Sequence, residues 1–288
     1  MIRTRGLYVP NVALYQTEPH LDWLLTKQRY YALGPGKSQA KTRGREKTVR
    51  SGKTWVLYII AEAVLYAAFM YIDIAGGDSS LSENLKYASI LLCVLFAVIG
   101  AVRIKSAVAV LVAAAFVFTA GADYFLLKTS VYLPGVLCFC MVQSLYLAAV
   151  LHAGGNSNGI LKHLILGLPA AAAAVLPGIM LGLGIEDLLL LCAAGFYAYS
   201  FIRNIVLAAM LWKRGNAVSL RAGLFTVGLI IFALCDINVL LYNLPDYIEM
   251  RSGVLTFLLR FAGDFMWMFY LPGQVMLSFS PRVNAGRE

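Results

Sequence analysis

Hydrophobic residues along this chain come in long blocks that are separated by short polar stretches. Eight blocks are long enough to cross about 30 Å of hydrocarbon as α-helices, which rise 1.5 Å per residue. They cover roughly residues 54–73, 85–102, 105–127, 131–151, 161–183, 186–212, 220–242 and 253–279. The short connections between them favour one compact bundle. The pattern therefore predicts an all-α integral membrane protein with about eight transmembrane helices.

The composition supports this interpretation. Of the 288 residues, 60% are hydrophobic and only 14% are charged, whereas soluble globular chains are usually about 45–50% apolar. The first long apolar block starts far from the N-terminus, so no secretory signal peptide is expected there. We expect a multi-pass protein of the cell membrane.

Charged residues outside the blocks predict the orientation of the helices. Basic residues cluster before the first block and in alternate connections, at Arg103, Lys105, Lys162, Lys213, Arg214 and Arg221. Acidic residues occupy the connections in between, at Asp73, Asp78, Glu83, Glu186, Asp187, Asp246 and Glu249. Basic connections usually remain in the cytoplasm. Both termini are therefore predicted to be cytoplasmic, which requires an even number of spans.

Three segments follow from this layout. Residues 1–53 form a basic cytoplasmic N-terminal segment that is expected to be partly disordered. Residues 54–280 form the eight-helix membrane domain, and residues 281–288 form a short cytoplasmic tail. The net charge of +9 is explained by orientation and by attraction to anionic lipid, so nucleic acid is not an expected partner. The sequence does not predict the oligomeric state.

Cysteine and histidine give no signature of a metal site. The five cysteines, Cys93, Cys138, Cys140, Cys192 and Cys235, all lie within the blocks and are expected to act as small packing residues. No histidine lies deep in a block, and none belongs to an HExxH or another zinc-binding spacing. Neither a metal ion nor a cofactor is expected.

Several ionisable residues are placed inside the blocks, where a charge costs at least about 2.5 kcal/mol and usually faces the bundle interior. Arg260 and Asp264 are four residues apart and can form a salt bridge on one helix. Glu62 is a candidate partner for Arg203. Both pairs have a purely structural interpretation.

Asp123 and Asp236 differ because neither has a basic residue three or four positions away. Each lies about 24–27 Å along its helix from the cytoplasmic end, at 1.5 Å per residue. If the two helices are neighbours, the carboxyls could share one cavity, an arrangement suited to acid–base hydrolysis. A structural role for each aspartate, or a proton relay in a transporter, is the alternative.

Other polar side chains inside the blocks form pairs that share a helix face. Tyr270 and Gln274 are four residues apart in the last block, with Pro272 and Gly273 between them. Gln143 and Tyr146 are three apart in the fourth block, and Asn238 follows Asp236 by two. They are candidates for binding a polar head group, or simply for hydrogen bonding between helices.

These elements resemble motifs of the YhhN-like family, the lysoplasmalogenases, which are multi-span proteins that typically have eight helices. "GADYFLL" is similar to the family's GD-x-x-L element, with Asp123 in the acidic place. "IFALCDINVLL" is similar to its LF-x-x-SD-x-x-L element, with Asp236 in the acidic place. "FYLPGQVMLSFS" is similar to a third, C-terminal element and aligns Tyr270, Gln274 and Ser280 with it. The resemblance covers roughly residues 54–280.

Three positions depart from the family pattern: Ala122 stands in place of Gly, Cys235 in place of Ser, and Gln143 in place of the His in "H-x-x-Y". The resemblance implies cleavage of the vinyl ether bond of a lysoplasmalogen to a fatty aldehyde and a glycerophospho-base. It implies acid–base roles for Asp123 and Asp236, and positioning of substrate or water by Tyr270, Gln274 and Gln143. The implied partner is a membrane lipid or lysophospholipid. A proton-coupled transporter and a non-catalytic lipid-binding protein remain the alternatives.

Overall fold

The chain folds into eight long helices. The structure, a computed structural model, describes residues 54–129, 131–155, 159–215, 219–243 and 253–281. The helices are α1 Thr54–Ala75, α2 Ser79–Ile104, α3 Ala107–Asp123, α4 Tyr132–Ala153, α5 Ile160–Met180, α6 Ile185–Arg214, α7 Ala222–Asn243 and α8 Gly253–Ser278. A π-helix, Tyr124–Thr129, continues α3. The N-terminal segment 1–53 and the tail beyond Pro281 lie outside the described residues.

The lengths and composition of these helices confirm the predicted membrane bundle. Helices α1 to α7, with the π-helix counted in α3, are each long and apolar enough to cross a membrane. Helix α8 has 26 residues and is about 39 Å long at 1.5 Å per residue. Large apolar side chains point outward from the bundle, as Leu57 and Met180 do. Such an exterior is suited to contact with lipid rather than with water.

Side chains at the helix ends satisfy backbone groups that the helices leave unpaired. Asp78 precedes α2 and accepts hydrogen bonds from the backbone N–H groups of Ser80 and Leu81. Ser106 precedes α3 and accepts one from Ala109. Gly215 ends α6 with φ 67°, a left-handed conformation that glycine adopts without steric cost.

The described ends of the bundle meet on its basic side. Arg103, near the end of α2, donates a hydrogen bond to Thr54 at the start of α1. The backbone N–H of Arg221 donates to the Ser280 carbonyl at 2.7 Å. Thr54 and Pro281 therefore lie at the same end, together with these two arginines. This agrees with an even number of spans.

The opposite end carries acidic residues, and two lysines there are paired. Lys86 lies 2.8 Å from the Asp73 carboxylate, and Lys128 lies 4.0 Å from Glu83. These pairs leave the excess of positive charge at the other end of the bundle, as the positive-inside rule requires of a cytoplasmic side.

Six helices close into a ring. They pack in the order α2, α3, α4, α6, α7, α8, and α8 returns to α2. Helix α1 packs against α2 and α8, and α5 packs mainly against α6. Helices α3 and α7 therefore stand on opposite sides of the ring rather than side by side. Helix α8 contacts both of them.

Small residues set the closest helix crossings. A Cβ atom added to Gly273 of α8 would lie 3.1 Å from the Gly228 carbonyl oxygen and 3.1 Å from the Phe232 nitrogen, both of α7. A Cβ at Gly195 of α6 would lie 2.5 Å from the Cβ of Ala174 in α5. Glycine at these positions lets the backbones approach each other, a common feature of membrane helix packing.

Candidate functional site

Asp123 is buried at the end of α3 and is bound by a tyrosine from α8. The side chain of Asp123 is only 4% exposed. The Tyr270 hydroxyl donates a hydrogen bond to its Oδ2 at 2.7 Å. The π-helix begins at the next residue, Tyr124, and π-helical turns occur frequently at functional sites. Asp123 and Tyr270, both candidate site residues, are thus in direct contact.

Asp236 forms the same arrangement with a different tyrosine. The Tyr197 hydroxyl of α6 donates to Asp236 Oδ2 at 2.7 Å. Asp236 precedes the end of α7 by seven residues, and Asp123 precedes Thr129 by six. Both carboxyls therefore lie roughly 10 Å from the acidic end of the bundle, at 1.5 Å per residue.

The two carboxyl–tyrosine pairs face the same interior region of the ring. The two tyrosines, Tyr197 and Tyr270, are connected through the packed rings of Phe201 and Phe232. The sequence raised the possibility of adjacent helices. The structure instead places the carboxyls across the ring, on α3 and α7, and joins them through residues of α6 and α8.

An aromatic cluster lies between the two tyrosines. The ring of Phe232 lies 5.3 Å from that of Tyr270 and 5.3 Å from that of Phe201, measured between centroids. Phe201 in turn lies 5.6 Å from Tyr197. Phe139 of α4 packs on both Tyr197 and Phe232, with centroids 5.9 Å apart in each case. Packed apolar rings therefore lie between the two carboxyl–tyrosine pairs, and such rings disfavour bulk water.

Amide side chains extend the Asp236 side of the site. Gln143 of α4 is fully buried. Asn204 of α6 donates 2.8 Å hydrogen bonds to both its side-chain oxygen and its backbone carbonyl. The Gln143 side chain also lies next to the Tyr197 hydroxyl. Gln143 is thus part of the same hydrogen-bonding region as Asp236.

Tyr146 and Gln274 carry buried polar atoms that have no partner among the described residues. Both side chains are fully buried. Within the part of the chain that the structure describes, the Tyr146 hydroxyl and both amide atoms of Gln274 make no hydrogen bond. Unpaired buried groups are uncommon in proteins. These atoms can bind water or a polar substrate group.

Two other predicted residues do not join the carboxyls through a described contact. Asn238 donates to the Leu234 carbonyl, one turn earlier in its own helix. Ser280 donates to the Leu277 carbonyl, and its own carbonyl accepts from Arg221 at the basic end. The side chains of Arg260 and Asp264 lie outside the described part of the chain.

Another buried carboxyl, that of Glu62, lies nearer the basic end of the bundle. Glu62 is 4% exposed, and its Oε1 is 3.3 Å from the Cys93 sulfur. The predicted pairing of Glu62 with Arg203 is therefore wrong, since Arg203 donates to Tyr199 in its own helix instead. The expectation that all cysteines are only packing residues also fails at Cys93. Its thiol is hydrogen-bonded to a carboxyl and to Tyr58.

Tyr197 was missed in the sequence, although a signal for it exists. Tyr197, Ser200 and Asn204 are spaced three and four residues apart, so they share one face of α6. A polar face on a membrane helix normally turns toward the bundle interior. That pattern would have identified Tyr197 as a neighbour of the polar site.

Comparisons with protein-family models, with curated proteins and with solved structures find no match for this chain.

Proposed function

We propose that the protein is an intramembrane hydrolase that cleaves the vinyl ether bond of a lysoplasmalogen. Asp123 and Asp236 carry the acid–base chemistry. The observation that supports this most is the presence of two interior carboxyls, each bound by a tyrosine, whose tyrosine rings are connected through Phe201 and Phe232. Two neighbouring carboxyl groups, one protonated and one ionised, can act as the acid and the base of a hydrolysis.

The proposed reaction begins with a proton transfer to carbon. One aspartic acid gives its proton to the β-carbon of the vinyl ether, and an oxocarbenium ion forms. Water attacks this cation while the second carboxylate stabilises it and accepts a proton from the water. The resulting hemiacetal gives its hydroxyl proton to the first carboxylate, and the second carboxylic acid protonates the glycerol oxygen as the C–O bond breaks. The aldehyde and the glycerophospho-base are released, and both carboxyls return to their starting protonation. Protons are only redistributed, so no cofactor takes part.

The surrounding residues have separate roles in this scheme. Tyr270 and Tyr197 occupy Oδ2 of their aspartates and fix the carboxyls, so that Oδ1 would meet the substrate. The aromatic cluster of Phe139, Phe201 and Phe232 would contact the alkenyl chain. Gln143, Tyr146 and Gln274 would supply the polar atoms that bind the head group or the attacking water.

The test is an assay of aldehyde release from lysoplasmalogen by the purified protein in detergent. The wild type should release aldehyde. Asp123→Asn and Asp236→Asn should each lower the rate about 10²-fold or more, the usual contribution of general acid–base catalysis. Asparagine keeps an oxygen that accepts the tyrosine hydrogen bond, so both variants should remain folded. Their thermal unfolding checks this.

A saturated alkyl-ether lysolipid is the matched control substrate because it lacks the double bond that accepts the proton. It should release no aldehyde. Aldehyde release by wild type that persists unchanged in both folded asparagine variants would contradict the assignment of the site. An inactive wild type would contradict the proposed reaction.

Proton-coupled transport is the second candidate function, and one observation favours it. Glu62 is a third buried carboxyl that the hydrolytic scheme does not use. Paired or linked intramembrane carboxyls are typical of proton relays. Substrate-dependent acidification or alkalinisation inside proteoliposomes, without aldehyde release, would favour this function over hydrolysis.

A further inference from the structure

Glu62 and three other side chains, Cys93, Tyr58 and Ser278, form a continuous hydrogen-bonded chain. The Glu62 Oε1 atom lies 3.3 Å from Cys93 Sγ, which lies 3.2 Å from the Tyr58 hydroxyl. The Tyr58 hydroxyl lies 3.0 Å from Ser278 Oγ. Ser278 Oγ lies 2.7 Å from the Val275 carbonyl oxygen. The chain crosses three helices, α1, α2 and α8, and its side chains are all buried.

The number of hydrogens in this chain depends on the protonation of Glu62. The chain contains four hydrogen bonds, and the thiol and the two hydroxyls each carry one hydrogen. The Val275 carbonyl can only accept, so Ser278 donates to it, Tyr58 donates to Ser278, and Cys93 donates to Tyr58. The bond between Cys93 and Glu62 then has a hydrogen only if Glu62 carries it. All four bonds are made when Glu62 is neutral, and one is lost when it is ionised.

Among the described residues, no basic side chain is paired with Glu62 to favour its ionised form. Helix α1 packs against α2 and α8. Cys93 is the titratable group that faces Glu62 from α2, and Tyr58 approaches from α1 itself. Asp123 of α3 and Tyr146 of α4 lie near Cys93 and carry no positive charge. Within the described residues, the salt bridges join other side chains and leave Glu62 without a basic partner.

The far end of the chain reaches a cavity at the basic end of the bundle. Ser278 lines this cavity together with Phe96, Phe279, Arg221 and Pro281. Its volume is about 110 Å³, which is room for several water molecules. Phe96 stacks on the Tyr58 ring with a centroid distance of 4.0 Å and holds it between the cavity and Cys93. Ser278 is thus the contact between cavity water and the chain.

We propose that Glu62 is a proton-binding site that exchanges its proton with the basic end of the bundle through Cys93, Tyr58 and Ser278. When Glu62 is ionised, the three hydrogens point toward it, from Ser278 to Tyr58, to Cys93 and to Glu62. A proton from cavity water then binds Ser278, and each hydrogen moves one atom along. Glu62 becomes neutral, and each hydroxyl and thiol again carries one hydrogen. This site is distinct from the hydrolytic site and does not depend on it.

Infrared spectroscopy of the full-length protein in lipid nanodiscs tests the first part of this proposal. A neutral Glu62 gives a carboxylic acid C=O band. Incorporation of ¹³C-labelled glutamate into the wild type should shift this band, and Glu62→Gln should remove it. The isotope label needs no mutation, so the assignment survives if the variant fails to fold. A spectrum without a glutamic acid band at neutral pH would overturn the proposal.

Transfer of the same sample into D2O tests the path. The Glu62 band should shift as its proton exchanges for deuterium. Tyr58→Phe keeps the ring on Phe96 but breaks the chain, so exchange should become about tenfold slower or more, equivalent to a barrier about 1.4 kcal/mol higher. Tyr66→Phe, on the same helix but outside the chain, is the control and should exchange at the wild-type rate. Equal exchange rates in Tyr58→Phe and wild type would overturn the path.

Discussion

At the scale of single residues, the distinguishing feature is a tyrosine hydroxyl bound to each interior aspartate. Tyr270 and Tyr197 both donate at 2.7 Å, a length typical of hydrogen bonds to ionised or strongly polar acceptors. Aromatic neighbours hold both phenol rings in place. The tyrosines therefore act as positioning residues, since they orient the carboxyls without contacting the substrate in the proposed scheme.

Removal of either hydroxyl tests this role. Tyr270→Phe and Tyr197→Phe should each lower kcat about tenfold or more, because a hydrogen bond to a charged group is worth about 1.5–3 kcal/mol. The phenylalanine ring keeps the aromatic contacts, so KM should change little, while the unfolding temperature should fall because an interior carboxyl loses its donor. Aldehyde-release kinetics and thermal unfolding in detergent measure the two effects.

Tyr66→Phe is the control for these variants, since Tyr66 packs on Phe69 away from both aspartates. A fall in unfolding temperature with unchanged kcat would show that Tyr270 and Tyr197 are only structural.

Individual polar residues of the site were predictable, but their partners were not. Asp123, Asp236 and Gln143 stood out because each interrupts an apolar block. Which side chain meets which depends on how each helix is rotated and which helix lies beside it. Residues 147 positions apart, such as Asp123 and Tyr270, carry no sequence signal of their contact. The mistaken pairing of Glu62 with Arg203 has the same origin.

At the scale of helices, apolar block length was a reliable guide. The predicted and observed bounds agree within a few residues for seven helices. Helix α2 begins at Ser79, six residues before the predicted start at 85. Its first turns contain Ser82, Glu83 and Asn84, which an apolar block excludes, while the Asp78 cap stabilises them as helix. The π-helix after Asp123 has no hydropathy signal and was not predicted.

The crossing of α7 and α8 gives a prediction at this scale. Gly273→Ala places a methyl group 3.1 Å from the Gly228 oxygen and the Phe232 nitrogen, which are backbone atoms that cannot move aside. The variant should be less stable by about 1–3 kcal/mol, the usual cost of overpacking. Equilibrium unfolding in mixed detergent micelles measures this difference.

Gly100→Ala is the matched control for the glycine variant. Nothing lies within 4 Å of a Cβ at Gly100, so alanine there should be neutral or should stabilise α2 by up to about 1 kcal/mol. Equal stability of the two variants would show that α7 and α8 do not cross closely at Gly273.

At the scale of the whole molecule, the polar interior belongs to a ring of six helices. Each ring helix contributes a buried or half-buried polar side chain, and these are Cys93, Asp123, Gln143, Tyr197, Asp236 and Tyr270. The number of helices and their alternation were predictable from apolar blocks and charges. The order of helices around the ring was not predictable, because α4 packs on α6 and α5 lies outside the ring. Helix α5 packs mainly on α6, where Gly195 contacts Ala174.

The topology is testable on the intact chain. A reporter enzyme that works only in the cytoplasm should be active when it is fused after Glu288, and one that works only outside the cytoplasm should be inactive there. The reason is that basic residues lie at the end of the bundle that contains Thr54 and Pro281. A second reporter, inserted in the acidic connection at Gly76, should report the opposite side. Activity of the C-terminal fusion outside the cytoplasm would contradict the even number of spans or the assigned orientation.

The most direct test of the central claim is the fate of a solvent proton during cleavage. If an aspartic acid protonates the β-carbon of the vinyl ether, a reaction in D2O must place deuterium at the carbon next to the aldehyde group. The aldehyde is trapped by reduction to the alcohol, and the mass of this alcohol is measured by mass spectrometry. The wild type should give one deuterium per molecule, and Asp123→Asn and Asp236→Asn should give little product. Aldehyde formed by the wild type without deuterium at that carbon would contradict acid–base cleavage by the two carboxyls.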